Sequence, residues 1–168
     1  MPVGRGRKAL MGYFIFPMAV VLFFAGVAAQ LGQMALAVPG SGEAGRMSAA
    51  ATLAARQVEV FATACVNTAL AAPGMVASNL IVTLPAGVNA PAGAVCMTTA
   101  AGVGRNVYGY APGVGGLAGQ IQADTHSSFT WLQVRSAGQA VTLATGATTS
   151  VPASIPVGAV VDWVQTSS

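Results

Sequence analysis

Asp124, His126 and Ser128 in "ADTHSS" carry a carboxylate, an imidazole and a hydroxyl, the components of a hydrolytic triad. If the run is extended, the three share one face. Same-face neighbours on a strand are spaced about 6 to 7 Å apart, whereas a triad needs the imidazole hydrogen-bonded between its two partners and donors for an oxyanion. The pattern therefore predicts a polar turn leading into a strand, with no catalytic residue.

Other chemistry-bearing patterns are equally thin. "GVGGLA", residues 113–118, satisfies G-x-G-x-x-A, the outline of a dinucleotide-binding turn. It follows "YAP" and opens no evident helix within a βαβ unit, the context in which such glycines cradle a pyrophosphate. His126 is the single histidine, and with Cys65 and Cys96 it cannot furnish a dedicated zinc site. Lys8, the single lysine, precedes the body of the chain. Arg105, close to Tyr108 and Tyr110, reads either as a peptide or glycan contact or, preferentially, as a solvated strand edge. The expectation is a protein with no cofactor, no metal and no small-molecule substrate.

Charge narrows the partners further. Charged residues make up 7% of the 168, against roughly 25% in an average soluble protein. The formal charge is +3, and Arg5, Arg7 and Lys8 account for all of it. Arg46, Arg56, Arg105 and Arg135 balance Glu43, Glu59, Asp124 and Asp162. A neutral body predicts no nucleic-acid partner.

The elements that position these residues begin with "MGYFIFPMAVVLFFAGVAAQ". No charge occurs in residues 9–42, and the stretch 12–38 exceeds the roughly 20 residues needed to span a bilayer. Pro17 lies near its start, where helix donors are unpaired and proline is tolerated. With the basic cluster on its N-terminal side, the positive-inside rule predicts a single-pass anchor with a cytoplasmic N-terminus and an extracytoplasmic body. A cleaved signal peptide, cut before Gln30 or Val38, exports the same body. The organisation expected is a leader and transmembrane helix at 1–38, a hinge at 39–45 and an extracytoplasmic domain at 46–168.

Beyond the hinge, Met47, Ala51, Ala54, Val58, Phe61 and Cys65 recur at steps of three and four, which predicts an amphipathic helix from about 46 to 70. "AAPG" ends it. Short β-prone runs follow between Gly/Pro/Asn turns: "NLIVTL", "AVCMTT", "RNVYGY", "SFTWLQV", "QAVTLAT" and "GAVVDWVQ". The last is apolar on both faces and belongs in the middle of a sheet. The predicted fold is α+β, the helix packed on a small, mainly antiparallel sheet. Cys65 and Cys96 then fall on elements that pack together. Export permits a disulfide worth about 3 kcal/mol by chain entropy, with two buried thiols as the alternative.

The basic leader, "MGYFIFPMAVVLFF", the helix "AARQVEVFATACVNTAL" and the terminal "IPVGAVVDW" together resemble the PilM family of accessory proteins, encoded with the type IVb thin pili of conjugative plasmids. The resemblance spans nearly the whole chain. It implies a component of the bacterial inner membrane, its C-terminal domain periplasmic, that contacts other pilus assembly proteins and is neither a filament subunit nor an enzyme. A pilin-like subunit is the alternative, since "RGRKALMG" before "YFIFP" imitates a prepilin cleavage site at Gly12 and Tyr13. There Pro17 occupies the position where pilins normally carry glutamate. An exported adhesin or binding module is a third reading.

Overall fold

The computed structural model describes residues 42–167. The anchor expected at 12–38 lies outside them. Among the described residues, no helix is long and apolar enough to cross a membrane. The folded body belongs to a compact unit spanning Met47–Ser168.

Helix α1, Glu43–Ala71, has 29 residues and a length of about 44 Å. It starts before the predicted position near 46, so residues 43–45 of the expected hinge are helical. Glu43 in the first turn favours this start by meeting the positive end of the helix dipole. Gly74, at φ 74°, turns the chain after the helix. Ala51, Ala55, Val58, Ala62, Cys65 and Ala69 are buried at alternating steps of four and three, with Phe61 beside them. Met47, expected on this stripe, is exposed.

Six strands form one sheet: β1 (Val95–Ala101), β2 (Gly104–Ala111), β3 (Trp131–Ser136), β4 (Gln139–Thr142), β5 (Thr148–Ser150) and β6 (Val160–Ser167). Their order is β1-β2-β6-β3-β4-β5, and every pairing is antiparallel. An α+β fold with a helix on an antiparallel sheet is thus what the chain adopts. β6, from the run that is apolar on both faces, is central. Helix α2, Leu117–Asp124, lies in the crossover from β2 to β3. Both of these strands run antiparallel to β6 and so parallel to each other.

Each face of the sheet is covered. On one, α1 packs over Cys96, Val107, Gly109, Ala111 and Val160. Small residues let the helix come close: a Cβ at Gly109 would lie 3.1 Å from the Ala62 Cα. On the other, Met97, Tyr108, Tyr110, Leu132 and Val161 are roofed by Val151, Ile155 and Ala159 of the β5–β6 connection.

One predicted strand is not part of the sheet. Ala77 bridges to Thr98, and the Leu80 N–H donates to the Cys96 carbonyl at 2.7 Å. Beyond Leu80, "NLIVTL" leaves β1 and runs without a ladder partner. Conversely, α2 and β5 form where no element was predicted.

Candidate functional site

Asp124, His126 and Ser128 are not brought together. Asp124 is the last residue of α2, and His126 and Ser127 adopt φ of 50° and 61°, which reverses the chain. The run is a turn after a helix, as its polarity predicted, and not an extended face. The Asp124 carboxylate accepts from Gln120 Nε2 at 3.0 Å and lies 3.7 Å from Arg56 Nε. Ser128 Oγ pairs with Thr130 Oγ1 at 3.1 Å, and His126 is exposed.

The "GVGGLA" expectation needs correction in one respect: the segment does open a helix, α2, within a strand–helix–strand crossover. Gly113 and Gly116 serve packing. A Cβ at Gly113 would collide with the Gly158 carbonyl oxygen, and one at Gly116 would come within 3.1 Å of the Ala51 Cβ. Backbone and side chain therefore occupy the space beside Gly113 and Gly116, while Gly115, the position at which a dinucleotide-binding turn approaches its phosphates, has open space beside it.

Arg105 is buried, unlike in either of its sequence-based readings. From β2 its guanidinium reaches under the C-terminus of α1. Nη1 donates to the carbonyls of Ala72 at 2.6 Å and Met75 at 3.0 Å, and Nη2 donates to that of Ala69. Ala69 belongs to the last turn of α1, where carbonyls lack the usual intrahelical partner, and Ala72 and Met75 to the turns that follow it; the carbonyls of Ala69 and Ala72 also accept from the N–H groups of Ala72 and Met75. Next to this cap, Thr98 Oγ1 accepts from the Ala77 N–H and donates to the Met75 carbonyl, both at 2.9 Å.

Cys65 on α1 and Cys96 on β1 form a disulfide with Cα atoms 5.5 Å apart. Both residues are fully buried. The bridge bolts the helix to the first strand beside Phe61, Leu80 and Val107.

Two carboxyl groups sit in environments that disfavour their charge. Arg56 lies 3.7 Å from Glu59 Oε2 as well as from Asp124, so one guanidinium serves two carboxylates. Burial, and then the Asp124 charge, push the Glu59 carboxyl above its ordinary range, with Arg56 opposing. Glu59 Oε1 is buried without a hydrogen-bond partner. In β6, burial raises the Asp162 carboxyl, and a hydrogen bond with Thr130 counters it. Among the described residues no group of three His, Cys, Asp or Glu side chains could hold a metal ion.

A groove of about 740 Å³ runs along α1. Glu59, Thr63 and Asn67 line it from the helix, at steps of four that place them on one face. Thr83, Leu84 and Pro85 form the opposite wall. Sequence reasoning did not locate it, because its second wall is the segment expected to be a strand inside the sheet.

These features define an α+β domain with one long helix disulfide-bonded to a six-stranded antiparallel sheet and a groove between the helix and an unladdered segment. Among solved structures, it is similar to the crystal structure of a protein provisionally named PilM from Escherichia coli B7A. That similarity has a TM-score of 0.47 and 18% sequence identity, covering 70% of this chain and 93% of the other. No protein-family model matches the chain, and no curated protein matches it.

Proposed function

We propose that this protein is a non-enzymatic accessory component of type IVb pilus assembly, held in a bacterial inner membrane by residues 12–38, with its helix-and-sheet domain in the periplasm. The pilus assignment rests on the sequence resemblance described above. The observation that carries the non-enzymatic part is the employment of the polar groups. Arg105 caps a helix, Asp124 pairs with Arg56 and Gln120, and Asp124, His126 and Ser128 do not converge. What faces outward is a groove, together with exposed apolar side chains such as Leu70, Met75, Val76 and Ile81. Such surfaces suit protein contacts. The Cys65–Cys96 bridge favours export, because disulfides persist in oxidising compartments.

Carbonate extraction combined with N-terminal sequencing tests the anchor. Full-length protein that stays in the washed membrane supports it. A soluble form starting at Gln30 or Val38 refutes it. A start at Tyr13 with subunit-like abundance in sheared filaments replaces it with the pilin reading.

A further inference from the structure

Residues 81–84 have the sequence of a strand and the backbone of an unpaired one. Ile81, Val82, Thr83 and Leu84 neither donate nor accept a backbone hydrogen bond within the described chain. Burial nevertheless alternates with period two. Leu80, Val82 and Leu84 pack on the cluster around Phe61 and Cys65, while Ile81 and Thr83 are exposed, Ile81 to 90%. That alternation is the signature of extended backbone. The segment continues a short pairing with β1 at Ala77–Thr98 and Leu80–Cys96, then diverges from it.

Exposed strand edges are normally blunted by charge, proline or a covering element, because their free N–H and C=O groups recruit other strands. "NLIVTL" contains neither charge nor proline, and Pro85 follows only after it. Beside it lies the groove, walled by Thr83, Leu84 and Pro85 on one side and by the Glu59, Thr63 and Asn67 face of α1 on the other. Its volume of about 740 Å³ falls in the usual range of ligand sites, roughly 300–1,000 Å³. At the Glu59 end, Oε1 is buried and has no partner. Arg56 is the nearby cation, 3.7 Å from Oε2 and shared with Asp124.

We propose that residues 81–84 are a β-augmentation site: an extended strand of a partner protein pairs with this backbone, lies in the groove against α1, and presents a lysine or arginine to Glu59. Main-chain hydrogen bonds supply the affinity and the side chains at alternate positions supply the selectivity. The inference deepens the assembly reading by giving the class of partner. Its test measures binding alone, so it can fail while a piliation defect on gene deletion still stands.

The test uses the full chain in detergent micelles and a short synthetic peptide of alternating valine and threonine with one central lysine, at millimolar concentration. Amide hydrogen exchange is followed at residues 81–84. Bound peptide is expected to slow exchange there by at least about tenfold, with little change in β3 and β4. The same peptide N-methylated on alternate amides keeps its side chains but loses its donor edge, and it is expected not to protect. Replacing its lysine with norleucine should weaken protection several-fold. On the protein, Thr83→Pro deletes an N–H that bonds nothing in the folded chain, so binding is lost while thermal unfolding stays unchanged. Asn67→Trp, on an exposed helix position, fills the groove and blocks the peptide while leaving the sequence of residues 81–84 unchanged. Absence of protection by the unmethylated peptide, equal protection by the methylated one, or wild-type binding by the Asn67→Trp protein would each overturn the proposal.

Discussion

The guanidinium of Arg105 donates to the carbonyl of Ala72 at 2.6 Å, so a strand residue closes the C-terminus of a helix 33 positions earlier in the chain. The last turn of α1 contains no basic residue of its own. Arg105 supplies the missing positive charge at the negative end of the helix dipole and satisfies the carbonyls of Ala69, Ala72 and Met75 together. With the Cys65–Cys96 bridge, α1 is joined to the sheet at two successive strands, covalently at β1 and by charge-assisted hydrogen bonds at β2.

Arg105→Met should destabilise the fold by about 2–4 kcal/mol, because three carbonyls lose charged donors, that of Ala69 in a buried place and those of Ala72 and Met75 in partly buried ones. Arg105→Lys should recover only part of this, since one ammonium cannot reproduce the planar fork that reaches several acceptors. Urea unfolding with an unchanged slope would measure both. A loss below about 1 kcal/mol for Arg105→Met would show that water replaces the cap.

The disulfide yields a second expectation. Replacing both Cys65 and Cys96 with alanine should cost roughly 3 kcal/mol through the unfolded state, plus a cavity contribution, because both residues are fully buried. In protein isolated without reductant, neither sulfur should be alkylated under denaturing conditions. Full labelling of both would mean that the bridge is absent.

Close approach of α1 to the sheet can be probed at glycine. Gly109→Ala places a Cβ 3.1 Å from the Ala62 Cα and 3.4 Å from the Cys65 Cβ, and the helix cannot move away because the disulfide holds it. A loss of about 1–3 kcal/mol is expected, the usual cost of overpacking. Gly119→Ala, on α2 with nothing within 4 Å, should instead stabilise by up to about 1 kcal/mol through helix propensity. Thermal melts of the two variants should therefore shift in opposite directions.

Helix α1 and the central position of β6 were legible in the sequence because their patterns are local: a three-four stripe for the helix and an unbroken apolar run for the strand. The interpretation of "NLIVTL" failed because β propensity reports fit to a pleated surface and says nothing about whether a partner strand is available. Helix α2 was obscured by its length and by the glycines around it, since Leu117 and Ile121 alone mark its buried face. Arg105 was read as surface because its acceptors are 30 to 36 residues away in sequence. The groove was hidden for the same reason, as its two walls meet only in the folded chain.

Stability should decrease as pH rises through the carboxylate range. Glu59 and Asp162 both have folded-state values raised above their ordinary 4.5 and 3.8, chiefly by burial. The folded protein therefore holds protons that the unfolded chain releases. The contribution is fully present below the ordinary values and is lost as pH rises through the raised ones. Glu59→Gln and Asp162→Asn should each flatten the profile, and Glu59→Gln should not lower stability at neutral pH, since it removes the repulsion with Asp124. Unfolding free energies measured from pH 3 to 8 would decide this; a wild-type profile that rises across the interval would contradict the assignment.

Deleting the gene should reduce piliation or pilus-dependent conjugation in liquid, and two sets of substitutions then separate scaffold from catalyst. Replacing Asp124, His126 and Ser128 with alanine should leave the phenotype nearly intact. The three side chains do not converge, and Asp124 contributes mainly a 3.7 Å pair with a guanidinium that is 65% exposed, worth at most about 1 kcal/mol. Phe61→Asp should abolish function. Phe61 is buried in the cluster around the disulfide with Cys65, Leu80, Cys96 and Val107, and a carboxylate there would have no partner, at a cost of several kcal/mol. Abundance in membranes, measured for both variants, distinguishes loss of fold from loss of activity. If the triple-alanine protein accumulates normally and is as defective as the deletion, those polar residues act chemically and the scaffold reading fails.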